Sequence, residues 1–160
     1  YIRNMSSTGE ELERLARACW SRAGETWDEV RELIEERDRV PELIRALAAT
    51  APEGALSYIG VTVLEDIAMD AESSGAEDGA IDALLAAELD LATSYEILSG
   101  PYPEFLERWQ VRERFAQLLT PAQLDALFDW PARVRQRIVL DGEGTRLLPL
   151  SGWLDDAAAS

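Results

Sequence analysis

The chain has 160 residues, a one-domain length, and 47% of them are hydrophobic, which supports a buried core and excludes wholesale disorder. It carries 31 acidic and 15 basic side chains, a net charge of −16, and no histidine. Lack of His excludes Ser-His-Asp and Cys-His catalysis and ordinary zinc sites, and the charge disfavours nucleic acid and anionic membranes.

The charge is unevenly placed. Residues 46–107 hold thirteen Asp and Glu and no basic residue, while the remainder of the chain is close to balanced. A long single-sign segment sets up a directed field that attracts a basic partner. Every basic residue is Arg, the bias of a GC-rich bacterial genome. Cys19 stands alone, so no intramolecular disulfide forms. It falls on an apolar helix face beside Trp20 and reads as a buried thiol. No apolar run approaches the roughly 20 residues that span a bilayer, and no signal peptide is visible. The expected location is cytoplasmic.

Taken in order, Tyr1 to Asn4 read as vector-derived residues before a native start at Met5. Leu12, Leu15, Ala16, Cys19, Trp20 and Ala23 follow the spacing of one helix face. Ser7 and Glu10 resemble a capping box ahead of it, and Gly24 is a natural stop. A second helix is predicted from Thr26, capped with Glu29, its apolar face being Trp27, Val30, Leu33 and Ile34. Pro41 suits the first turn of a third helix bearing Leu43, Ile44 and Leu47.

After the turn at 51–54, a helix over about 55–71 is the most apolar of all and is placed centrally. Gly60 inside it costs about 1 kcal/mol in propensity, which close approach of a neighbour would explain. Residues 73–79 form the strongest loop signal. The fifth helix turns Ile81, Leu84, Leu85 and Leu89 inward and kinks before Tyr95. Gly100-Pro101-Tyr102-Pro103 breaks the chain again.

Phe105, Leu106 and Trp109 mark the next helix, with Val111, Phe115, Leu118 and Leu119 continuing or restarting it. Thr120, Pro121 and Gln123 read as N-cap, N1 proline and capping-box partner before Leu124, Leu127 and Phe128. Pro131 starts a last helix to about Ile138, bearing Arg133, Arg135 and Arg137 as partners for surface acids. Residues 138–140 and 146–148 can pair as a hairpin across Asp141-Gly142-Glu143-Gly144. Trp153 would pin the tail, and residues 154–160 should fray. The expected fold is all-α: one domain over 5–153, a bundle or irregular stack of seven to nine short helices with a small C-terminal hairpin.

The sharpest cluster of chemistry is Leu64 to Glu72. Asp66 and Asp70 share a helix face at i, i+4, and Glu65 and Glu72 lie close in angle two turns apart. Carboxylates at such spacing can hold Mg²⁺ or Ca²⁺. A hydrolase would need a second acidic helix, and only Glu88 and Asp90 offer themselves. As helical neighbours two apart, these diverge by roughly 200° and cannot both face one metal. The more economical reading is a solvated or partner-facing acidic surface. Neither a P-loop nor a dinucleotide glycine pattern occurs.

Trp27 to about Leu98, and most clearly Tyr58 to Ile67, resembles a bacterial family of small helical domains of unknown function. Its signature is a Gly-Pro-Leu-Glu-Asp-Leu segment after a Pro-x-x-Ala/Leu-x-x-x-Ile helix. Pro41 to Leu47 would be that helix, and Gly60, Leu64, Glu65 and Asp66 match the signature. Val61-Thr62-Val63 stands where Pro is expected, and the 73–79 loop replaces a His-Gly pair. The resemblance implies no activity, but it raises interest in Glu65 and Asp66.

Together these features point to an acidic inhibitor, of the immunity-protein or antitoxin type, covering a basic protein partner with its 46–107 surface. The candidate contact residues are Glu65, Asp66, Asp70, Glu72, Glu77, Asp78 and Tyr102. No catalytic residue, metal ligand or cofactor is assigned. The alternatives are a Mg²⁺- or Mn²⁺-dependent hydrolase using Glu65, Asp66 and Asp70 with Glu88 or Asp90, and a nucleic-acid mimic that blocks a DNA-binding protein.

Overall fold

The computed structural model describes residues 5–21 and 25–149. In order, it contains α1 (Met5–Ser21), α2 (Glu25–Glu36), α3 (Val40–Thr50), α4 (Leu56–Ile59), a π-helical turn (Gly60–Leu64) and α5 (Glu65–Ser74). Then come α6 (Ala80–Ala86), α7 (Leu91–Leu98), α8 (Pro103–Arg108), α9 (Val111–Arg114), α10 (Pro121–Leu127) and α11 (Trp130–Arg135). An antiparallel hairpin, β1 (Gln136–Asp141) and β2 (Gly144–Pro149), closes the described chain, with Ile138 opposite Leu147.

The helices form an irregular bundle around one core. α1 lies on α3, α3 on α6, α2 on α5 and α4 on α7, while the hairpin rests on α7, α10 and α11. Leu12, Ala16 and Cys19 bury the predicted face of α1, and Val30 and Ile34 that of α2. Trp20 donates its indole N–H to the Leu47 carbonyl at 3.0 Å, which ties α1 to α3. Ile59, Val63, Leu64 and Ile67 are fully buried, so the apolar fourth segment is central as expected. Among the described residues, no helix is long and apolar enough to cross a membrane.

Several predicted boundaries move. α1 already runs from Met5 and α2 from Glu25, so Ser7 and Thr26 lie inside helices rather than at their caps. Ser73 and Ser74 belong to α5, which ends on Gly75 in the left-handed region (φ 76°). The predicted kink before Tyr95 is a full break. Glu88 takes φ 54°, and Asp90 then starts α7 by accepting the Thr93 N–H at 2.7 Å. Glu88 and Asp90 therefore sit in a connection, not on a helix. Leu85 and Leu118, expected inward, are exposed. The last helix stops at Arg135, because Gln136 turns extended (φ −145°, ψ 155°) and begins β1, so Ile138 fills the core from a strand.

The Thr120–Gln123 capping box forms, with Gln123 N–H on the Thr120 hydroxyl at 3.1 Å and Thr120 N–H on Gln123 Oε1 at 2.9 Å. Trp153 and the tail, residues 1–4 and Gly24 lie outside the described residues.

Gly60 is a close-approach glycine, and it has a counterpart. A Cβ on Gly60 would meet the Ile97 carbonyl oxygen and the Pro101 ring, and one on Gly100 would meet the Ser57 carbonyl. Backbone therefore lies on backbone where the π turn crosses the end of α7. Gly100→Ala should destabilise the protein by about 1–3 kcal/mol or more, read from chemical denaturation, because rigid main chain gives way poorly. An unchanged midpoint would mean the crossing is looser than described. Burial pushes the Cys19 thiol up to about 12. A thiol reagent at neutral pH should therefore modify Cys19 only after denaturant is added.

Candidate functional site

α2 and α5 run side by side and leave a groove of about 630 Å³ between them. α2 contributes Arg31, Ile34 and Glu35, and α5 contributes Asp66, Met69, Asp70, Glu72 and Ser73. Asp66 and Asp70 face this groove together, as their i, i+4 spacing requires. Met69 lines the same groove with 56% of its surface exposed.

Two arginines from the α2 side meet these acids. Arg37 ends α2 with φ 69° and reaches across to Asp70 at 2.9 Å, while also donating to the Ile67 carbonyl at 3.3 Å. Arg31 holds Asp66 only loosely, at 3.9 Å. Burial raises the Asp66 pKa, and Arg31 offsets part of that.

Glu65 looks the other way, toward Tyr102 at the start of α8, while Glu72 lines the groove and reaches α8 from its rim. Glu72 pairs with Arg108 at 2.9 Å. Glu65 is only 8% exposed and accepts the Tyr102 backbone N–H at 3.3 Å. Its pKa is raised, chiefly by burial and further by Asp66 and Glu104, against the lowering effects of the Tyr102 N–H and Arg133.

The remaining candidates stand apart from the groove. Asp78 accepts the Trp109 indole N–H at 2.8 Å and the Ala80 N–H at 3.2 Å, which fastens the 75–79 loop to α8 and starts α6. Glu77 is exposed beside it. Tyr102 is half-exposed and stacks on Trp130 with ring centroids 4.6 Å apart. Tyr95 is fully buried, its hydroxyl donating to the Gln123 carbonyl at 2.7 Å.

So the structure brings Asp66, Asp70 and Glu72 to one groove, and separates Glu65 with Tyr102 from Asp78 with Glu77. Sequence reasoning missed Glu35 and Met69 as parts of the groove, and Arg37 as the partner of Asp70. The signal for Glu35 and Arg31 was their i, i+4 spacing on the second helix. Nothing local marks Arg37, whose partner is 33 positions away. The hydrolase set is not assembled: among the described residues no group of three or more His, Cys, Asp or Glu is placed to hold a metal ion. Asp90 lines a different groove with Arg17, Arg45 and Thr93.

No protein-family model matches the chain, and no curated protein or solved structure matches it.

Glu65 carries a pH prediction. Its carboxyl has an ordinary value of 4.5 and a raised value in the fold, so the folded state binds the proton more tightly. Stability from this group is present below 4.5 and lost as pH rises through the raised value. Glu65→Gln, which keeps an acceptor for the Tyr102 N–H, should raise the melting temperature at pH 7 and lose that advantage below about pH 4. A variant destabilised at pH 7 but not below about pH 4 would show that the ionised form is needed.

Proposed function

We propose that this protein is an acidic, non-catalytic inhibitor of the immunity-protein or antitoxin type. It acts in the cytosol by covering a basic protein partner with its 46–107 surface. The α2–α5 groove takes a Lys- or Arg-bearing segment of that partner. The observation that carries this reading is the convergence of Asp66, Asp70, Glu72 and Glu35 around exposed Met69 in one open groove.

Each part has a physical role. A net charge of −16 steers a basic partner in and turns like-charged competitors away. Met69 offers an adaptable apolar contact on which aliphatic stems of Lys or Arg can lie. Arg31, 63% exposed and 3.9 Å from Asp66, is readily exchanged for a partner's cation. Arg37, held by both Asp70 and the Ile67 carbonyl, keeps the groove's floor in shape.

Glu35 and Glu72 are exposed, so reversing both leaves the core untouched. Glu35→Arg with Glu72→Arg should slow association by about tenfold at low salt and flatten its salt dependence. The first measurement is a pull-down from a bacterial lysate at low and high salt, using the wild type and this double variant. A basic protein kept by the wild type only at low salt, and lost by the variant, supports the reading. Retention unaffected by the charge reversal removes the groove from it, and no basic protein at either salt sinks the inhibitor itself.

A further inference from the structure

Among the described residues two arginines are buried, and neither has all its donors paired. Arg133, in α11, is 5% exposed, and Arg137, in β1, is 6% exposed. Arg133 Nη1 is spent on the Ser99 and Pro101 carbonyls, at 2.5 and 2.7 Å. Its Nε and Nη2 are buried without a hydrogen-bond partner among the described residues, and so is Arg137 Nε. Arg137 reaches Glu96 through Nη1 alone, at a stretched 3.4 Å.

Unpaired buried donors are costly, above all on charged groups, and native structures rarely leave several together. Both arginines line one cleft. It has a volume of about 130 Å³ and is walled by Ser57, Val61, Trp130 and Gln136 beside the two arginines. A water molecule takes about 30 Å³ of liquid, so the cleft admits a small polyatomic group. Nε and Nη2 of one guanidinium form the edge that grips two oxygens of a carboxylate or phosphate in parallel. Nη1, fixed on two carbonyls, holds that edge in place before any ligand arrives.

The surrounding charges leave room for an anion. Glu96 offsets Arg137, while Glu65 and Asp129 are the acids that act on Arg133. Burial raises the Glu65 pKa, against the lowering effects of the Tyr102 N–H and Arg133. Burial lowers Arg133 to about 10, which leaves it cationic at neutral pH.

We propose that the cleft between α11, β1 and the end of α7 is an oxyanion site that takes one carboxylate or phosphate group on Arg133 Nε and Nη2 with Arg137 Nε. This site is independent of the groove proposed for a protein partner. It selects by bidentate hydrogen bonding rather than by long-range attraction, since the protein's overall field repels anions.

The test titrates the full chain, with arginine side chains labelled in ¹⁵N, against sodium phosphate, sodium acetate and sodium chloride at equal ionic strength. Saturable shifts of two protected Nε–H signals with phosphate or acetate, absent with chloride, are expected, together with a rise in melting temperature. Whichever of the two anions saturates at lower concentration identifies the chemistry. Val61→Phe narrows the mouth of the cleft without touching either arginine and should weaken the response at least tenfold. Arg137→Gln should weaken it too if that variant folds. Equal behaviour in all three salts by the wild type overturns the proposal, as does an undiminished response in a folded Val61→Phe protein.

Discussion

The structure depends on the contact between two glycines and two stretches of main chain. Gly60 lies against the Ile97 carbonyl, and Gly100 lies against the Ser57 carbonyl. No side chain intervenes, so the central helix and α7 approach more closely than side-chain packing between helices allows. That crossing sets where α7 stops, and Ser99 and Pro101 are left with carbonyls that α7 does not use. Arg133 supplies the donors for both and thereby fixes the start of the hairpin. The π turn sits at the same point. It carries one more residue than an α turn, which shifts the phase of everything after it by about 100°. The orientation of α5, with Asp66 and Asp70 toward α2 and Glu65 toward Tyr102, follows from that shift.

Features governed by local chemistry were legible in the sequence. The Thr120–Gln123 box, the proline at the start of α3, the pairing of 138–140 with 146–148 and the buried face of α1 each involve neighbours close in the chain. The shared face of Asp66 and Asp70 followed from helical geometry alone. The failures share a different origin. Leu85 and Leu118 fit an apolar period but lie at short helices or turns where nothing covers them. The last helix was extended to Ile138 because apolar spacing cannot distinguish a helix end from a strand start. The arginine partners of the acidic block were invisible for a further reason. Arg37 reaches Asp70, Arg108 reaches Glu72 and Arg137 reaches Glu96 across more than thirty residues of chain, a distance over which only the fold decides.

Those long-range pairs also change the meaning of the acidic segment. Asp66, Asp70, Glu72, Asp82 and Glu96 each meet an Arg from outside the segment. The segment is therefore a partly neutralised surface. Glu53, Glu77, Glu88, Glu104 and Glu107 have no ion pair among the described residues and supply much of the remaining field. Long-range attraction needs only the sum, but contact needs acids that can change partners. An exposed pair at 3.9 Å can exchange, whereas Asp70, bound to a residue that also holds a backbone carbonyl, cannot do so without loosening α5.

The two halves of the charge distribution then obey one rule. Carboxylates are strongly hydrated, and most of this chain's acids stay where water reaches them. The guanidinium is weakly hydrated, planar and rich in directed donors, which makes it the cation that a core can hold. With no Lys in the sequence, every cation here has that property, and α11 and β1 use it by placing Arg133 and Arg137 inside. A lysine at either position would bring three donors on a flexible stem and no flat edge. It could satisfy a carbonyl, but it could not present two parallel N–H groups to the same cleft. The acids thus stay mostly at the surface, while Arg133 and Arg137 carry their charge inside.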